Sequence, residues 1–579
     1  MSGISISQHT KFFDWQIEKI EKDRLRYLKS MVLDLRKNDR LYIGKIWGYD
    51  TSRGSLIIRF RKGDLPRLKS PFSMCYVKSS AGVTSSWNFN YEEFRRSHTE
   101  ISTFSLPVFY MKSEPDEEWR YIGFQGIEPE FFNHIRLDLE EKNHPLIVLG
   151  EEDPPIKYLI NLRNYVNQNP EDNFLNLSVR YNPKNWNPKL MGQPDIVLSE
   201  ALTHVDENNL TIIQGPPGTG KTHLIAGICK HFLALDKKVC VTALTNKALI
   251  EVAEKPGLGS FLGQHRIFKT NLSGDEQKNL QGLQCCENPG MPVVGGLILS
   301  SYYKLSDLLA SIRSLTQIYD IIIIEEASQA FLATIAGFTR LGKKVIIVGD
   351  IKQLTPIIVD ENNASRIDQN INGIIEGLKT VSNNYSPLSH RMRYTYRLSN
   401  QAAKQTGEFY SHSLVSVSPL EEKISFASNF THLFCEKGGT SLLKISIAHE
   451  GKRPITAIKV ITEVVKDVKT QNPGFTIAIL TPFKMTSYAI YDHFMHTGIG
   501  VEELIIETID RIQGLTCDVS IILIPFDGVA FAFQENRFNV STSRAKRGTL
   551  LITDPMIDML QSPTIEVKNY LASCKIVGL

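Results

Sequence analysis

The residues best suited to chemistry lie in one short segment, Gly215-Pro-Pro-Gly-Thr-Gly-Lys-Thr222, between an apolar run and a helical run. The segment fits the spacing G-x-x-x-x-G-K-[ST] in full. In such a loop the backbone N–H groups surround phosphates, the lysine reaches the β- and γ-phosphates, and the next hydroxyl binds Mg²⁺. The segment therefore predicts a nucleoside triphosphate site, with Lys221 and Thr222 in those roles. The other residues predicted to hold the nucleotide are Gly215, Pro216, Pro217, Gly218, Thr219, Gly220 and His223.

Two carboxylates, Glu325 and Glu326, directly follow a second apolar run, Ile321–Ile324. Parallel strands end at one edge of a sheet, so this pair is expected beside the phosphate loop. We assign Glu325 to Mg²⁺ and Glu326 to the attacking water. The alternative is a solvated acidic helix start, where glutamate is also favourable; the preceding phosphate loop favours the catalytic interpretation. Gln353 follows a third apolar run and is predicted to bond both a γ-phosphate oxygen and the attacking water.

The elements that must position these residues alternate between strands and helices from Asp195 onward, which is typical of a parallel α/β sheet. Two sets of apolar strands predict two such domains in tandem. The predicted strands are 238–244, 319–324 and 343–349 in the first set, and 475–480, 519–524 and 549–553 in the second.

The first third of the chain has a different pattern. Spacing of apolar residues by three and four predicts a helix over 12–37, and another over 156–166. Between them, short alternating runs at 41–49, 55–60, 72–77, 119–124 and 146–149, with a turn at 50–54, predict a small β-barrel. A polar connector at 182–188 leads into the α/β region.

Composition sets limits on the class of protein. The 579-residue chain is 42% hydrophobic and 22% charged with a net charge of +3, so a nucleic-acid partner would need local basic patches. Its eight cysteines contain no C-x-x-C pair, and no signal peptide or membrane span is predicted. We therefore expect reduced thiols and a cytoplasmic protein.

Several motifs occur in an order that resembles the superfamily 1 helicases, in the branch of the nonsense-mediated-decay and Okazaki-fragment helicases. They cover about Gln193 to Pro555 and follow the family order. The motifs are QGPPGTGKT at 214–222, TALTNKA at 242–248, EEASQ at 325–329, GDIKQL at 349–354, LSHRM at 388–392, ILTPF at 479–483, TIDRIQGLTCD at 508–518 and NRFNVSTSRAK at 536–546.

The resemblance implies two RecA-like domains, with the barrel carried on helical stalks before them. It places Gln193 and His390 at adenine and Gly514 at the nucleotide; the alternative for Gln193 is a surface residue. Arg391 and Arg544 are expected in the second α/β domain as cations that cross the cleft to the transferring phosphate. The residues implied at nucleic acid are Thr242, Asn246, Thr481, Pro482, Phe483, Gln513 and Thr516. Phe483 could instead be a core residue.

Three positions depart from the family pattern. Glu325 replaces the usual aspartate, His390 replaces a tyrosine, and Thr516 replaces a glutamate that often holds the ribose. These departures bear on turnover, on adenine stacking and on ribose recognition respectively.

Together these observations predict an ATP- and Mg²⁺-dependent translocase or helicase acting 5′ to 3′ on single-stranded or tailed DNA or RNA. The alternatives are an ATP-gated nucleic-acid clamp or signalling ATPase without unwinding, and a helicase fused to a nuclease. The predicted domains are a stalk helix at 1–38, a barrel at 39–154, a second stalk and connector at 155–185, and RecA-like domains at 186–375 and 376–579.

Overall fold

Runs rich in isoleucine, valine and leucine form the buried strands of this protein. The computed structural model describes residues 3–50, 55–61, 72–78, 85–101, 108–111, 119–124, 129–141, 145–179, 188–311, 317–368, 370–418, 426–494, 504–559 and 564–579. Contacts divide the chain into two units. The smaller unit is Ile17–Ile156, and the larger combines Met1–Gln16 with Lys157–Leu579.

The smaller unit is built on a seven-stranded antiparallel sheet of order β4-β3-β7-β1-β2-β6-β5. Its strands are β1 Tyr42–Asp50, β2 Ser55–Arg61, β3 Phe72–Val77, β4 Thr99–Ile101, β5 Val108–Met111, β6 Trp119–Phe124 and β7 Leu146–Glu151. The helices up to the start of the larger unit's sheets are α1 Ile6–Lys29, α2 Val32–Lys37, α3 Tyr91–Ser97, α4 Pro129–Glu140 and α5 Ile156–Gln168.

The five strands predicted in this region are confirmed as β1, β2, β3, β6 and β7, and the helix predicted over 156–166 is confirmed as α5. β4 and β5 were not predicted. Within the described residues each of them pairs on one side only, so closure into a barrel stays a prediction. The predicted turn at 50–54 lies largely outside the described residues.

The single helix predicted over 12–37 is wrong, because α1 ends at Lys29 and α2 begins at Val32. Met31 between them is extended, with φ −65° and ψ 140°. The Ser30 carbonyl accepts a hydrogen bond from the Tyr91 N–H, so the backbone here pairs with the start of α3 instead of continuing the helix.

The first parallel sheet has nine strands in the order β12-β11-β13-β10-β14-β15-β9-β16-β8. The strands are β8 Lys189–Leu190, β9 Leu210–Gln214, β10 Val239–Ala243, β11 Ile267–Lys269, β12 Gln284–Cys285, β13 Leu297–Ser301, β14 Tyr319–Ile324, β15 Gly342–Gly349 and β16 Ser389–Arg391. Its helices are α6 Val197–Glu207, α7 Lys221–Ala234, α8 Asn246–Ala253, α9 Gly259–Gly263, α10 Gly274–Asn279, α11 Tyr302–Ser311, α12 Leu332–Thr339, α13 Glu361–Ile367, α14 Ile371–Ile375 and α15 Gly377–Asn384.

The second parallel sheet has six strands in the order β21-β20-β22-β23-β19-β24, and β17 and β18 form a separate pair. The strands are β17 Tyr394–Thr395, β18 Val415–Ser416, β19 Thr440–Lys444, β20 Ile477–Thr481, β21 Leu504–Thr508, β22 Cys517–Ile524, β23 Ala545–Thr553 and β24 Lys575–Val577. Its helices are α16 Asn400–Gly407, α17 Ile455–Gln471, α18 Lys484–Phe494, α19 Val529–Ala532, α20 Glu535–Thr542 and α21 Ile565–Ala572.

Two tandem parallel-sheet domains are therefore confirmed, and all six predicted strands are present in them. The division near residue 376 requires a correction. β16 pairs with β9 in the first sheet, so the chain leaves this sheet only after Arg391. Most of the predicted connector at 182–188 lies outside the described residues. Within the described ranges, every helix is too short or too polar to cross a membrane.

Candidate nucleotide and nucleic-acid site

The predicted phosphate loop joins β9 to α7, between a buried strand and a helix N-terminus. Gly218 and Gly220 have φ values of +73° and +84°, where glycine avoids the strain of a Cβ. The Gly215 N–H donates to the Gly349 carbonyl at 2.9 Å, which fixes the loop against the end of β15. The Thr219 hydroxyl donates to the Pro216 carbonyl at 2.8 Å. The loop is thus preformed, with the N-terminus of a 14-residue helix behind it.

Lys221 lies at the first position of α7, and its Nζ donates to the Gly215 carbonyl at 2.5 Å. Burial lowers the pKa of this amine, while the carboxylates of Asp350 and Glu325 act in the opposite direction. The positive charges of Arg397 and Arg544 lower the pKa of Lys221 further. Thr222 is half-buried and His223 is exposed on the next positions of the helix.

Glu325 and Glu326 follow β14 as predicted. Glu325 is buried, its backbone N–H donates to the Thr242 carbonyl at 2.8 Å, and its Oε2 has no hydrogen-bond partner. Burial and then the neighbouring Glu326 raise the pKa of Glu325 to about 8. A buried carboxylate oxygen without a partner, near the hydroxyl-bearing start of α7, fits the hard oxygen ligands that Mg²⁺ requires.

Glu326 is the residue at which the chain turns, with φ +53° in the left-handed region. The Thr245 hydroxyl donates to its Oε2 at 3.3 Å. Burial raises the pKa of Glu326 to about 7, and the Thr245 hydrogen bond opposes that shift. A carboxyl group with a pKa near neutrality is suited to general-base chemistry.

A buried polar network surrounds Asp350, which follows β15. Its Oδ1 accepts from Gln214 Nε2 at 3.2 Å, and its Oδ2 accepts from Gln353 Nε2 at 2.9 Å and from the Tyr410 hydroxyl at 2.6 Å. Asn539 Nδ2 donates to the same Tyr410 hydroxyl and to the Lys352 carbonyl, both at 2.7 Å. The network therefore joins the first sheet edge, where Gln353 lies, to α20 of the second domain.

Arg391 is brought to the phosphate loop from a place other than the one expected. It lies on β16 of the first sheet, so its predicted position in the second α/β domain is wrong. Its Nε donates to Gln214 Oε1 at 2.6 Å, and one terminal nitrogen donates to the Tyr410 carbonyl at 3.1 Å. The reason is that 389–391 extends β9 laterally and adds a strand to the first sheet.

Arg544 does come from the second sheet, at the turn from α20 into β23. It is 1% exposed, and its Nε donates to the Val540 carbonyl at 2.6 Å. Burial, followed by the charge of Arg397, lowers the pKa of Arg544 to about 9. The charges of Arg544 and Arg397 repel each other here, and a negatively charged ligand would offset that repulsion.

Sequence reasoning missed Arg397, Tyr410 and Asn539. Arg397 donates to the Ser543 carbonyl at 3.2 Å, and a Cβ on Gly218 would lie 2.4 Å from its Cβ. The segment therefore packs directly on the phosphate loop. Asn539 stands inside a recognised motif and could have been named from it, whereas Arg397 and Tyr410 lie outside the motifs quoted.

The predicted adenine side is arranged differently from expectation. Gln193 is exposed, two residues beyond the Met191 N–H that donates to the Arg391 carbonyl. The His390 ring is 5% exposed and stacks on His204 with 3.8 Å between ring centroids. Burial and then His204 lower the pKa of His390 to about 4. This arrangement offers no open face of His390 to a base, so adenine stacking requires the histidine pair to separate.

The residues predicted at nucleic acid divide into buried and accessible ones. Contact of Thr242 and Thr481 with nucleic acid stays a prediction, and in this conformation their side chains are fully buried with hydroxyls that have no partner among the described residues. The reason is that β10 and β20 each lie between two neighbouring strands under helices. Asn246 is exposed, while Phe483 is half-buried with Lys452 Nζ 4.7 Å from its ring centroid.

Pro482 is buried, and it packs with Phe483 against Gly528, where a Cβ would lie 2.6 Å from Pro482. Across the cleft, Gln329 Nε2 donates to Gln513 Oε1 at 2.5 Å. Gly514 has φ +79° and open space around it, and Thr516 is half-buried. Gln513 thus lies at a contact between the first and second domains, beside a turn that stays accessible.

Comparison with known proteins agrees with this architecture. Two family models, each described as an AAA domain, match residues 199–359 and 379–556 and together cover more than half of the chain. The ATP-dependent helicase NAM7 of Saccharomyces cerevisiae is 24% identical over 441 residues, which is 64% of this chain and 43% of that protein. The DNA replication ATP-dependent helicase/nuclease DNA2 of Bos taurus is 22% identical over 419 residues, or 63% of this chain and 37% of that protein.

A crystal structure of the arterivirus nonstructural protein 10 helicase aligns with 91% of this chain and 78% of its own, at 13% identity and a TM-score of 0.36. The chain belongs to the superfamily 1 helicases, in the branch of the nonsense-mediated-decay and Okazaki-fragment helicases, as its motifs predicted. It spans less than half the length of these two curated relatives.

Proposed function

We propose that this chain is an ATP-dependent translocase or helicase that moves 5′ to 3′ on single-stranded DNA or RNA. The observation that carries the proposal is the meeting of a preformed phosphate loop and a carboxylate pair on the first sheet with Arg544 of the second. The relatives named above as ATP-dependent helicases support it. A cytoplasmic location is part of the same proposal.

In this proposal the first sheet binds MgATP. Lys221 and the loop N–H groups hold the β- and γ-phosphates, and Thr222 and Glu325 hold Mg²⁺, which neutralises charge on the phosphates when bound. Glu326 accepts a proton from the attacking water. Gln353, held by Asp350, contacts the γ-phosphate side of the loop and reports whether that phosphate is present.

Turnover then requires the second sheet. Arg544 stabilises the charge that spreads over the transferring phosphate, and Arg391 supports it from the first sheet. Gln193, Gly514 and, once unstacked, His390 are proposed at the base and ribose. Asn246, Phe483, Gln513 and Thr516 are proposed at nucleic acid, with Pro482 positioning Phe483.

The alternative is an ATP-gated clamp that binds nucleic acid without unwinding it. The hydrogen bonds between the two parallel-sheet domains are compatible with a helicase and with a clamp, since a clamp also needs two domains that respond to the γ-phosphate. The cations around the loop favour hydrolysis, because binding alone does not require Arg544 to be buried beside Arg397.

The test measures ATPase activity with single-stranded DNA and RNA of equal length, and then strand displacement on duplexes with a 5′ or a 3′ tail. Stimulated ATPase with displacement from 5′ tails supports the proposal. Stimulation without displacement of any duplex would favour the clamp. Displacement from 3′ tails only would contradict the direction and leave the nucleotide site unaffected.

A further inference from the structure

One outer face of the smaller unit's sheet is lined by alternating aromatic and basic side chains. On β1, β2 and β6, the residues Ile46, Ile58 and Ile122 point into an apolar core. Their neighbours along the strands point to the opposite side. We call these neighbours the aromatic–basic face: Lys45, Trp47, Arg59, Arg61, Trp119 and Tyr121.

Strand register brings these side chains together. Arg59 is opposite Lys45 on β1 and opposite Tyr121 on β6, and Arg61 is opposite Trp119. A register shift between Ile46 and Gly48 places Trp47 beside this row. A Cβ on Gly48 would meet nothing within 4 Å, so the surface next to Trp47 is open.

The aromatic rings and cations are interleaved. The Arg59 guanidinium lies 4.9 Å from the Trp47 ring centroid and 4.6 Å from that of Trp119. Lys45 Nζ lies 5.8 Å from Trp119, and the Trp47 and Tyr121 rings meet edge to face at 5.3 Å. Each ring therefore has a fixed orientation, and cations are held within a few ångströms of it.

Three residues of this face, Trp47, Lys45 and Arg59, have side chains that the described residues leave exposed or without a polar partner. Trp47 is 57% exposed. Within the described part of the chain, Lys45 and Arg59 form no hydrogen bond or ion pair, and the Nε of Arg59 is an orphaned buried donor. An arginine among aromatic rings gains only about 0.5–2 kcal/mol from cation–π contacts, so its hydrogen-bonding capacity remains for a ligand.

The part of the same sheet surface that lies on β3 and β7 shows what a purely structural face looks like here, since Lys45 of the aromatic–basic face is directly opposite Leu146. Cys75, Val77, Leu146 and Val148 pack under helices that contribute Tyr27, Val32, Leu35, Tyr91 and Phe94. There, the strands are covered by apolar contacts. On the aromatic–basic face, the six side chains are aromatic or basic and none is a carboxylate, and Trp47 is 57% exposed.

We propose that the aromatic–basic face is a second binding site for single-stranded nucleic acid, separate from the contacts proposed on the two parallel sheets. Bases stack on exposed aromatic rings whatever their sequence, and arginine and lysine beside the rings bind the backbone phosphates. Trp47 and Trp119 are the stacking residues. Lys45, Arg59 and Arg61 are the phosphate ligands. This inference rests on the proposed function in one respect, namely that nucleic acid is the ligand. It does not depend on nucleotide hydrolysis.

The experiment measures binding of fluorescently labelled oligo-dT and oligo-U to the full chain by anisotropy, without nucleotide. Trp47→Ala and Arg59→Ala are compared with Trp87→Phe, which changes an indole stacked on Phe94 in the other cluster of the same unit. Stacking of one base contributes about 1–3 kcal/mol, so Trp47→Ala should weaken binding about 5- to 150-fold. Trp47→Phe should recover part of the affinity, because a smaller ring still stacks.

Salt titration adds a second readout. Arg59→Ala should lower the slope of log Kd against log salt by about one phosphate contact, whereas Trp47→Ala should leave that slope unchanged. Thermal melting of each variant checks that the sheet is folded.

Unchanged affinity in folded Trp47→Ala and Arg59→Ala would overturn the inference while wild-type stimulation of ATPase by single strands still supports the proposed function. An equal loss in Trp87→Phe would also overturn it, since the effect would then be structural. If the wild-type chain binds neither oligonucleotide, the inference and the proposed function both fail. If the aromatic–basic face binds a protein and not nucleic acid, the inference fails in the same way.

Discussion

The two parallel sheets contribute unequally to the proposed nucleotide site. The first sheet carries the phosphate loop, both carboxylates, Asp350 with Gln353, and also Arg391. The second contributes Arg544 at a turn and, through its core, Tyr410. The difference indicates that one half is equipped to hold the nucleotide, while the other half is needed to complete the reaction. Binding and turnover should therefore be separable by mutation.

The largest effect is expected for Lys221→Ala on the first sheet. The phosphates lose the loop's cation in both the bound and the reacting state, so kcat/KM should fall about 10⁴-fold and nucleotide affinity should fall with it. ATPase kinetics measure kcat/KM, and titration with a fluorescent nucleotide measures the affinity. Lys230→Ala, an exposed change on the same helix, is the matched control. More than a tenth of wild-type turnover in Lys221→Ala would reject the phosphate-loop assignment.

Glu326→Gln should separate binding from chemistry within the first half. The amide cannot accept the water's proton, so kcat should fall about 10²- to 10⁴-fold while nucleotide affinity is retained. Glu325→Gln is the paired variant and should shift the Mg²⁺ concentration needed for half-maximal activity. If the Mg²⁺ titration shifts for Glu326→Gln and not for Glu325→Gln, the two roles are reversed.

Arg544→Ala tests the contribution of the second half. Loss of a cation used only in the transition state should lower kcat on the order of 10³-fold with little change in nucleotide affinity. Arg391→Ala should affect both, because Arg391 belongs to the first sheet and holds Gln214 before the loop. Arg547→Ala, three residues further on in β23, is the control for loss of an arginine that has its own contacts, here Asp518 and Phe475. A strong loss of nucleotide affinity in Arg544→Ala would contradict the idea that the first sheet alone binds the nucleotide and the second is needed only for turnover.

Tyr410→Phe tests the connection between the halves. It removes the hydroxyl that bonds Asp350 and Asn539 and leaves the ring in the second core. Stimulation of ATPase by single strands should fall several-fold, with unstimulated ATPase less affected. Tyr570→Phe removes another buried hydroxyl, bonded to Thr440 at 2.7 Å, and should lower stability by about 1 kcal/mol without uncoupling. Equal behaviour of the two variants would show that Tyr410 is only structural.

The smallest expected effect is on the free energy of unfolding at acid pH, and it comes from His390 on β16 of the first sheet. The pKa of His390 is lowered to about 4 by burial, so folding keeps it neutral while the unfolded chain binds a proton below about pH 6.5. The free energy of unfolding should therefore be fully retained above pH 6.5 and fall by about 1–2 kcal/mol by pH 5. Urea unfolding of wild type and His390→Phe measures this. A variant that loses as much stability as wild type would exclude His390 as the source.

Much of the fold could be predicted because its signals are local. Apolar runs such as 319–324 and 519–524 are read from the sequence as buried strands, and glycine and lysine spacing identifies the loop. β16 was misplaced because three residues, Ser389–Arg391, carry no periodicity that says which sheet they join. That choice is made by pairing with β9, a contact between residues 177 positions apart.

The site was predictable to the extent that motifs name residues. Burial of Thr242 and Thr481, and stacking of His390 on His204, depend on what neighbouring strands and helices cover. The position of Arg397 depends on the close approach of Gly218, which is a property of two distant backbone segments. The aromatic–basic face is similar, since alternation alone does not show which side of a sheet stays uncovered.

The chain that leaves β16 crosses the phosphate loop before it reaches the second sheet. The Thr395 hydroxyl donates to the Pro217 carbonyl, and the Tyr396 N–H donates to the Gly218 carbonyl, both at 2.9 Å. This segment connects the two halves and contacts the loop itself, with no further element between them. A displacement of one half relative to the other therefore pulls directly on the loop that is proposed to bind the triphosphate. The same few peptide bonds connect the two halves and contact the phosphate loop.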